Sequence, residues 1–189
     1  MGKVVLYMQV SLDGVVSDVE QWMNLSDEIL EDALAYYDTL DAIVIGGHSY
    51  SSMAAYWQQA EDASDSALER RFAKRINELP KIVISRSEQE LTWRNSQLLT
   101  YRDLESFRME IEHLKSSTTK DISVESGVRT WRLFLKSALV DELRLLVHPV
   151  VAAKGDKLFD EIETQQAWKL SGTKVFSNGV VELHYRISE

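Results

Sequence analysis

Short runs of β-branched and aliphatic residues alternate along this chain with longer stretches of helical periodicity, and that alternation restricts the fold more than any other feature. Residues 3–10, 42–45, 81–84, 122–124 and 143–147 read as strands. Between them the apolar spacing turns helical. Ser26 caps a helix that places Ile29, Leu30, Ala33, Leu34 and Tyr37 on one face. A second helix is expected over residues 49–58. Leu68, Phe72 and Ile76 mark a third, which stops before Pro80. Residues 62–66 read as an exposed polar loop. Leu104, Phe107, Ile111 and Leu114 mark a helix capped by Asp103, and Trp131, Phe134, Leu135 and Ala138 the inner face of the last one. Ser177-Asn178-Gly179 then signals a hairpin. The order predicts one α/β domain over residues 1–189, a mixed, mostly parallel sheet with flanking helices and an antiparallel C-terminal hairpin.

Sheets of this kind bind ligands beyond the carboxyl ends of their strands. Four segments occupy that position: 11–14, 46–49, 85–87 and 126–130. The last of them, Ser126-Gly127-Val128-Arg129-Thr130, leads from a strand into a helix, so free N–H groups and the positive end of the helix dipole suit a phosphate there. Gly46-Gly47-His48-Ser49 either brings backbone close to a pyrophosphate or makes a tight turn with positive φ. Ser85-Arg86-Ser87 either holds a ribose 2′-phosphate or is a solvated loop. Asp13 beside Gly14 bonds a ligand amide or closes a local turn. Glu125 ends an apolar strand, where a carboxylate is costly unless paired or facing a ligand. Trp22, in a polar stretch, covers a flat heterocycle or packs its loop.

A net charge of −9 argues against a general nucleic-acid binder. The absence of cysteine removes disulfides, thiolate nucleophiles and cysteine-ligated zinc, and fits a reducing cytoplasm. The four histidines show no metal-binding spacing, so no metal is expected; His148 and His184 fall in strands and read as structural. The N-terminal apolar run is too short to span a membrane.

Ser11-Leu12-Asp13-Gly14, Gln21-Trp22, Val124-Glu125-Ser126-Gly127 and Leu139-Val140-Asp141-Glu142-Leu143 stand in the order found in the reductase domain of bacterial riboflavin biosynthesis, and the chain resembles that family over nearly its whole length. The resemblance implies the dihydrofolate reductase fold and NADPH as hydride donor. It implies Val10 along the nicotinamide, Gly46, Gly47, His48, Ser49, Ser85, Arg86 and Ser87 along the phosphates and adenosine, and Gly127, Val128, Arg129 and Thr130 around the pyrophosphate. It places Trp22 and Glu125 toward a pyrimidine substrate, with Asp13 a further candidate. It also implies a homodimer. The chain departs from the family at Ser126, where a second glycine is frequent, and at Gly47, where dihydrofolate reductases carry arginine. Ala54-Ala55-Tyr56-Trp57 replaces a stretch that grips the phosphoribosyl group, and Ala152-Ala153-Lys154-Gly155 a glycine-rich one. The expectation is an NADPH-dependent reductase of a pterin or aminopyrimidine-type heterocycle, similar to 5-amino-6-(5-phosphoribosylamino)uracil reductase. The alternative is a nucleotide-binding protein of the same fold without turnover. No catalytic acid is assigned from sequence.

Overall fold

One eight-stranded sheet organises the computed structural model, which describes residues 2–188. The strand order is β4-β3-β2-β5-β1-β6-β8-β7. β1 (Val4–Ser11), β2 (Leu40–Gly46), β3 (Lys81–Ser85), β4 (Ser96–Thr100), β5 (Asp121–Val124) and β6 (Glu142–His148) run parallel. β8 (Val181–Ile187) pairs antiparallel with β6, and β7 (Trp168–Val175) antiparallel with β8 at the edge. The β7–β8 turn closes where Asn178-Gly179 predicts it. Gly179 takes φ +86 and donates its N–H to the Phe176 carbonyl.

Alternating side chains divide the core in two. Leu6, Met8, Val44, Ile122 and Val124 face α4 (Leu104–Ser117) and α5 (Val128–Ser137), meeting Phe107, Ile111 and Phe134. Phe107 and Phe134 are fully buried and meet edge to face at 5.0 Å. Truncating either to alanine is expected to cost about 3–5 kcal/mol. Ile43, Ile45 and Val83 face the other way, toward Tyr37, Tyr50 and Phe72. Those come from α1 (Asp27–Tyr37), α2 (Gly47–Ala63) and α3 (Ala67–Glu78).

The structure differs from the sequence expectation at β4, at α2 and at the Gly46-Gly47 turn. β4 has no apolar run to announce it: Ser-Gln-Leu-Leu-Thr lies half-exposed beside β3, held by pairing and by Leu98 and Leu99 packing against the two halves of the core. The helix expected over residues 49–58 starts at Gly47 and extends to Ala63, shortening the polar loop to three residues before α3. Gly46 and Gly47 do not take positive φ, which is confined among glycines to Gly14, Gly155 and Gly179. Gly46 is instead required by crowding, since a Cβ there would lie 2.2 Å from Thr130 Oγ1 and 2.9 Å from Ser126 Oγ.

Of the runs that carry the family resemblance, Leu139-Val140-Asp141-Glu142-Leu143 lies at the amino end of β6, far from the carboxyl ends of the strands. Asp141 sits just before β6, accepts from the Val4 N–H at 2.7 Å and pairs with Lys115 at 2.6 Å. It ties β1 to α4 at the amino ends of the strands, so its role is architectural.

Candidate functional site

Helix starts distinguish one end of the molecule. α1, α3 and α4 are each capped by a side chain, from Ser26, Ser66 and Asp103. α2 and α5 begin at Gly46 and Gly127 with no side-chain cap. An uncapped first turn leaves its N–H groups without partners. These two starts converge: a Cβ on Gly127 would lie 3.3 Å from Ser49 Oγ, and Gly46 donates its N–H to Ser126 Oγ at 2.9 Å. Ser126, the departure from glycine, therefore clamps the two turns together.

The starts open onto a cavity of about 700 Å³. His48, Ser49, Gly127, Val128, Arg129 and Thr130 line one side. A smaller recess continues from it past Gly46, Gly47, Ser85 and Gln89 to Tyr101. Beyond Tyr101 lies a third recess lined by Arg86, Ser87, Thr100 and Arg102. Shared lining residues join the three into one groove along the carboxyl ends of the strands. Arg86 is exposed, with its guanidinium 5.6 Å from the Tyr101 ring. Arg102 was not legible as a site residue, because it follows the unannounced strand β4.

The opposite end of the groove is built from side chains on the sheet face toward α1. β1 pairs with β5 through Leu6 and Val124, so Tyr7 and Glu125 are the next residues along. Both line the cavity, with Gln9 one alternation further. Ser123 Oγ donates to Glu125 Oε1 at 2.6 Å. Burial pushes the Glu125 carboxyl up to about 7, against the opposing pull of the Ser123 and Tyr37 hydroxyls and the Arg144 charge. Burial likewise raises the Tyr7 and Tyr37 phenols well above their ordinary value. Arg144 lies behind this row, 4.0 Å over the Tyr36 ring and paired with Asp32 at 2.5 Å and with Glu182. Asp18, Glu20 and Asp156 complete the acidic mouth. Asp18 holds a left-handed backbone at φ 50.

Three candidates lie outside the cavity lining. Asp13 accepts from Ser11 Oγ at 2.7 Å and from the Ala152 and Ala153 N–H groups at 2.9 and 3.0 Å, so it ties the first loop to the one after β6. Trp22 donates Nε1–H to the Ser17 carbonyl at 3.1 Å and meets the His148 ring edge to face at 5.6 Å. It packs its loop. Val10 is buried in the core on the α5 side of the sheet. Gln9 was missed, although a signal existed: it is the amide in an otherwise apolar and aromatic run from Val4 to Val10. Among the described residues no group of histidines and carboxylates is arranged to hold a metal, and no helix is long and apolar enough to cross a membrane.

A family model described as the RibD C-terminal domain matches residues 2–182. The chain is 28% identical over 186 residues to the "Uncharacterized protein YyaP" of Bacillus subtilis (strain 168), covering 97% of this chain and 94% of that one. Among solved structures it is similar to a Shewanella sp. PV-4 protein provisionally named for riboflavin biosynthesis, with a TM-score of 0.69 and 18% identity over the whole of both chains. It is also similar to a Thermotoga maritima diaminohydroxyphosphoribosylaminopyrimidine deaminase/5-amino-6-(5-phosphoribosylamino)uracil reductase, with a TM-score of 0.67 and 15% identity over 99% of this chain and 57% of that one.

Proposed function

Because the chain belongs to the RibD C-terminal domain family, whose model matches residues 2–182, we propose that it is an NADPH-dependent reductase of a pterin or aminopyrimidine-type heterocycle. The observation that carries this reading is the order of chemistry along one groove. Arginines stand at one end, two uncapped helix starts in the middle, and a buried carboxyl beside a tyrosine at the other. That sequence matches an extended dinucleotide with its 2′-phosphate near Arg86 and Arg102, its pyrophosphate between α2 and α5, and its reactive ring near Glu125.

When bound, the nicotinamide supplies a hydride. The residues of this chain then have four tasks. Arg86 and Arg102 hold phosphate charge. The first turns of α2 and α5 donate backbone N–H groups, and Gly127 leaves them open to close approach. The buried wall of Tyr7 and Trp131 limits water around the reacting atoms. Glu125, with its carboxyl near 7, holds a proton that the heterocycle can take at neutral pH. Activity is therefore expected to fall as pH rises through about 7, when that carboxyl ionises.

The test is NADPH oxidation, followed at its absorbance, across a panel of dihydropterins and 5-amino-6-substituted uracils. Oxidation that is lost in Glu125→Gln supports the proposal. Tight NADPH binding with no oxidation across the panel would instead identify a nucleotide-binding protein of the same fold.

A further inference from the structure

His148 is fully buried at the end of β6, on the same sheet face as Gln9. Its Nδ1 lies 3.3 Å from the Asn24 backbone N–H. A backbone N–H can only donate, so Nδ1 is the unprotonated nitrogen and Nε2 carries the hydrogen. Nε2 lies 2.6 Å from Gln9 Oε1, and it must be the donor in that bond. The Gln9 amide therefore has its orientation chosen for it: oxygen toward His148, nitrogen away. This conclusion follows from the donor at Asn24 and does not depend on how the amide is drawn.

Several contacts hold this arrangement in place. Trp22 packs its ring against His148, and Asn178 in the β7–β8 turn donates to the Asn24 carbonyl at 3.0 Å. Burial lowers the His148 pKa, which keeps the ring neutral and the donor pattern single. Gln9 is partly exposed and lines the cavity, and its amide nitrogen has no protein partner among the described residues. A positioned amide N–H pair facing an open site, on the same face as Glu125, recognises a hydrogen-bond acceptor on the bound molecule.

We propose that Gln9 determines substrate specificity by donating to a ring carbonyl oxygen of the heterocycle, with His148 as its positioning residue. The site then takes an oxo-heterocycle in preference to the analogue that carries an amino group at the same place. This rests on the reading of the cavity as a heterocycle site. The reason for selectivity is that an amino group would set donor against donor and leave both without a partner. His148 read from sequence as structural; its function is to hold the amide of another residue.

The probes are pterin and 2,4-diaminopteridine, which differ by oxo against amino at one ring position. Each is titrated into the full-length protein saturated with NADP⁺. In Gln9→Glu the carboxylate still accepts from His148 and presents an oxygen where the amide nitrogen stood. The ratio of pterin to diaminopteridine affinity is expected to move toward the diamino compound by about tenfold or more. Gln9→Leu, which has no polar atom to misplace, is expected to lose pterin affinity by about tenfold while keeping NADPH affinity. His148→Phe is expected to shift the ratio in the same direction with NADPH affinity unchanged. An unaltered ratio in both Gln9 variants overturns the proposal, as does failure of the wild type to bind either compound. These titrations read binding alone, so a shifted ratio without NADPH oxidation would defeat the reductase reading and leave this one standing. Oxidation with an unshifted ratio would do the reverse.

Discussion

The two ends of the groove are built from different materials. Around α2 and α5 the donors are backbone N–H groups at uncapped helix starts, and the side chains that matter are chiefly those that are missing, at Gly46 and Gly127. Around Glu125 the site is made of side chains bonded to one another: Ser123 to Glu125, His148 to Gln9, Arg144 to Asp32 and Glu182. A backbone site tolerates most substitutions except those that add bulk. A side-chain site changes its preference with a single atom. The difference suggests a division of labour, with a generic anion held at one end and a particular ring read at the other.

The largest expected effect breaks the backbone half. Gly127→Val should keep the fold, because Gly127 has an ordinary φ and its Cβ would meet only Ser49 Oγ, at 3.3 Å. The remaining methyl groups would enter the cavity. NADPH affinity should fall by about a hundredfold, roughly 3 kcal/mol, in a calorimetric titration, with the thermal midpoint little changed. A folded variant that binds NADPH normally would show that this turn holds no phosphate.

Glu125→Gln probes the other half through stability. The folded carboxyl titrates near 7 against an ordinary 4.5. A raised folded value means that the stability contributed is complete below about 4.5 and is lost as pH rises through 7. Glutamine has no charge to bury. Relative to wild type, the variant should gain stability between these values and level off above, by roughly 3 kcal/mol. Urea unfolding at pH 5 and pH 8 checks it; an equal difference at both would mean that Glu125 ionises freely.

Arg86→Ala should weaken NADPH by about 1.5–3 kcal/mol, the range for hydrogen bonds to charged groups, and leave NADH nearly unaffected. Parallel titrations of both cofactors decide it. Equal losses would move the 2′-phosphate away from Arg86.

How much of this was legible follows the same division. The alternation of apolar runs and amphipathic helices announced five of the six parallel strands, and Asn178-Gly179 announced the turn between the two antiparallel ones. Strand β4 escaped because it offers only two apolar residues, Leu98 and Leu99, one packed on each half of the core, among polar neighbours. In the groove, Gly127 through Thr130 could be read, since a strand-to-helix turn is local. Gln9 and His148 could not be joined, because they lie 139 positions apart and meet only through the parallel pairing of β1 with β6. Asp13 and Trp22 carried conspicuous sequence signals but serve loop packing, which uses the same residue types as binding.

The smallest expected effect on the groove comes from the far edge. Leu143 and Leu145 on β6 are buried within the chain, whereas β7 leaves Leu170 and Val175 exposed, with Ile187 of β8 beside it. An unpaired apolar edge of this kind invites a second copy. We propose a homodimer through β7. Light scattering should give twice the 21.6 kDa chain mass, falling toward the monomer in Val175→Lys, with NADPH affinity unchanged in both. A persistent monomer at high concentration would end that proposal without touching the groove.

The central claim is that one groove holds a phosphorylated dinucleotide in a fixed direction, and a crystal structure of the protein soaked with NADPH tests it most directly. The account predicts the pyrophosphate between the first turns of α2 and α5, the 2′-phosphate within reach of Arg86 or Arg102, and the nicotinamide at the Glu125 end of the groove. A cofactor bound in the opposite direction, or away from Gly127, would contradict it.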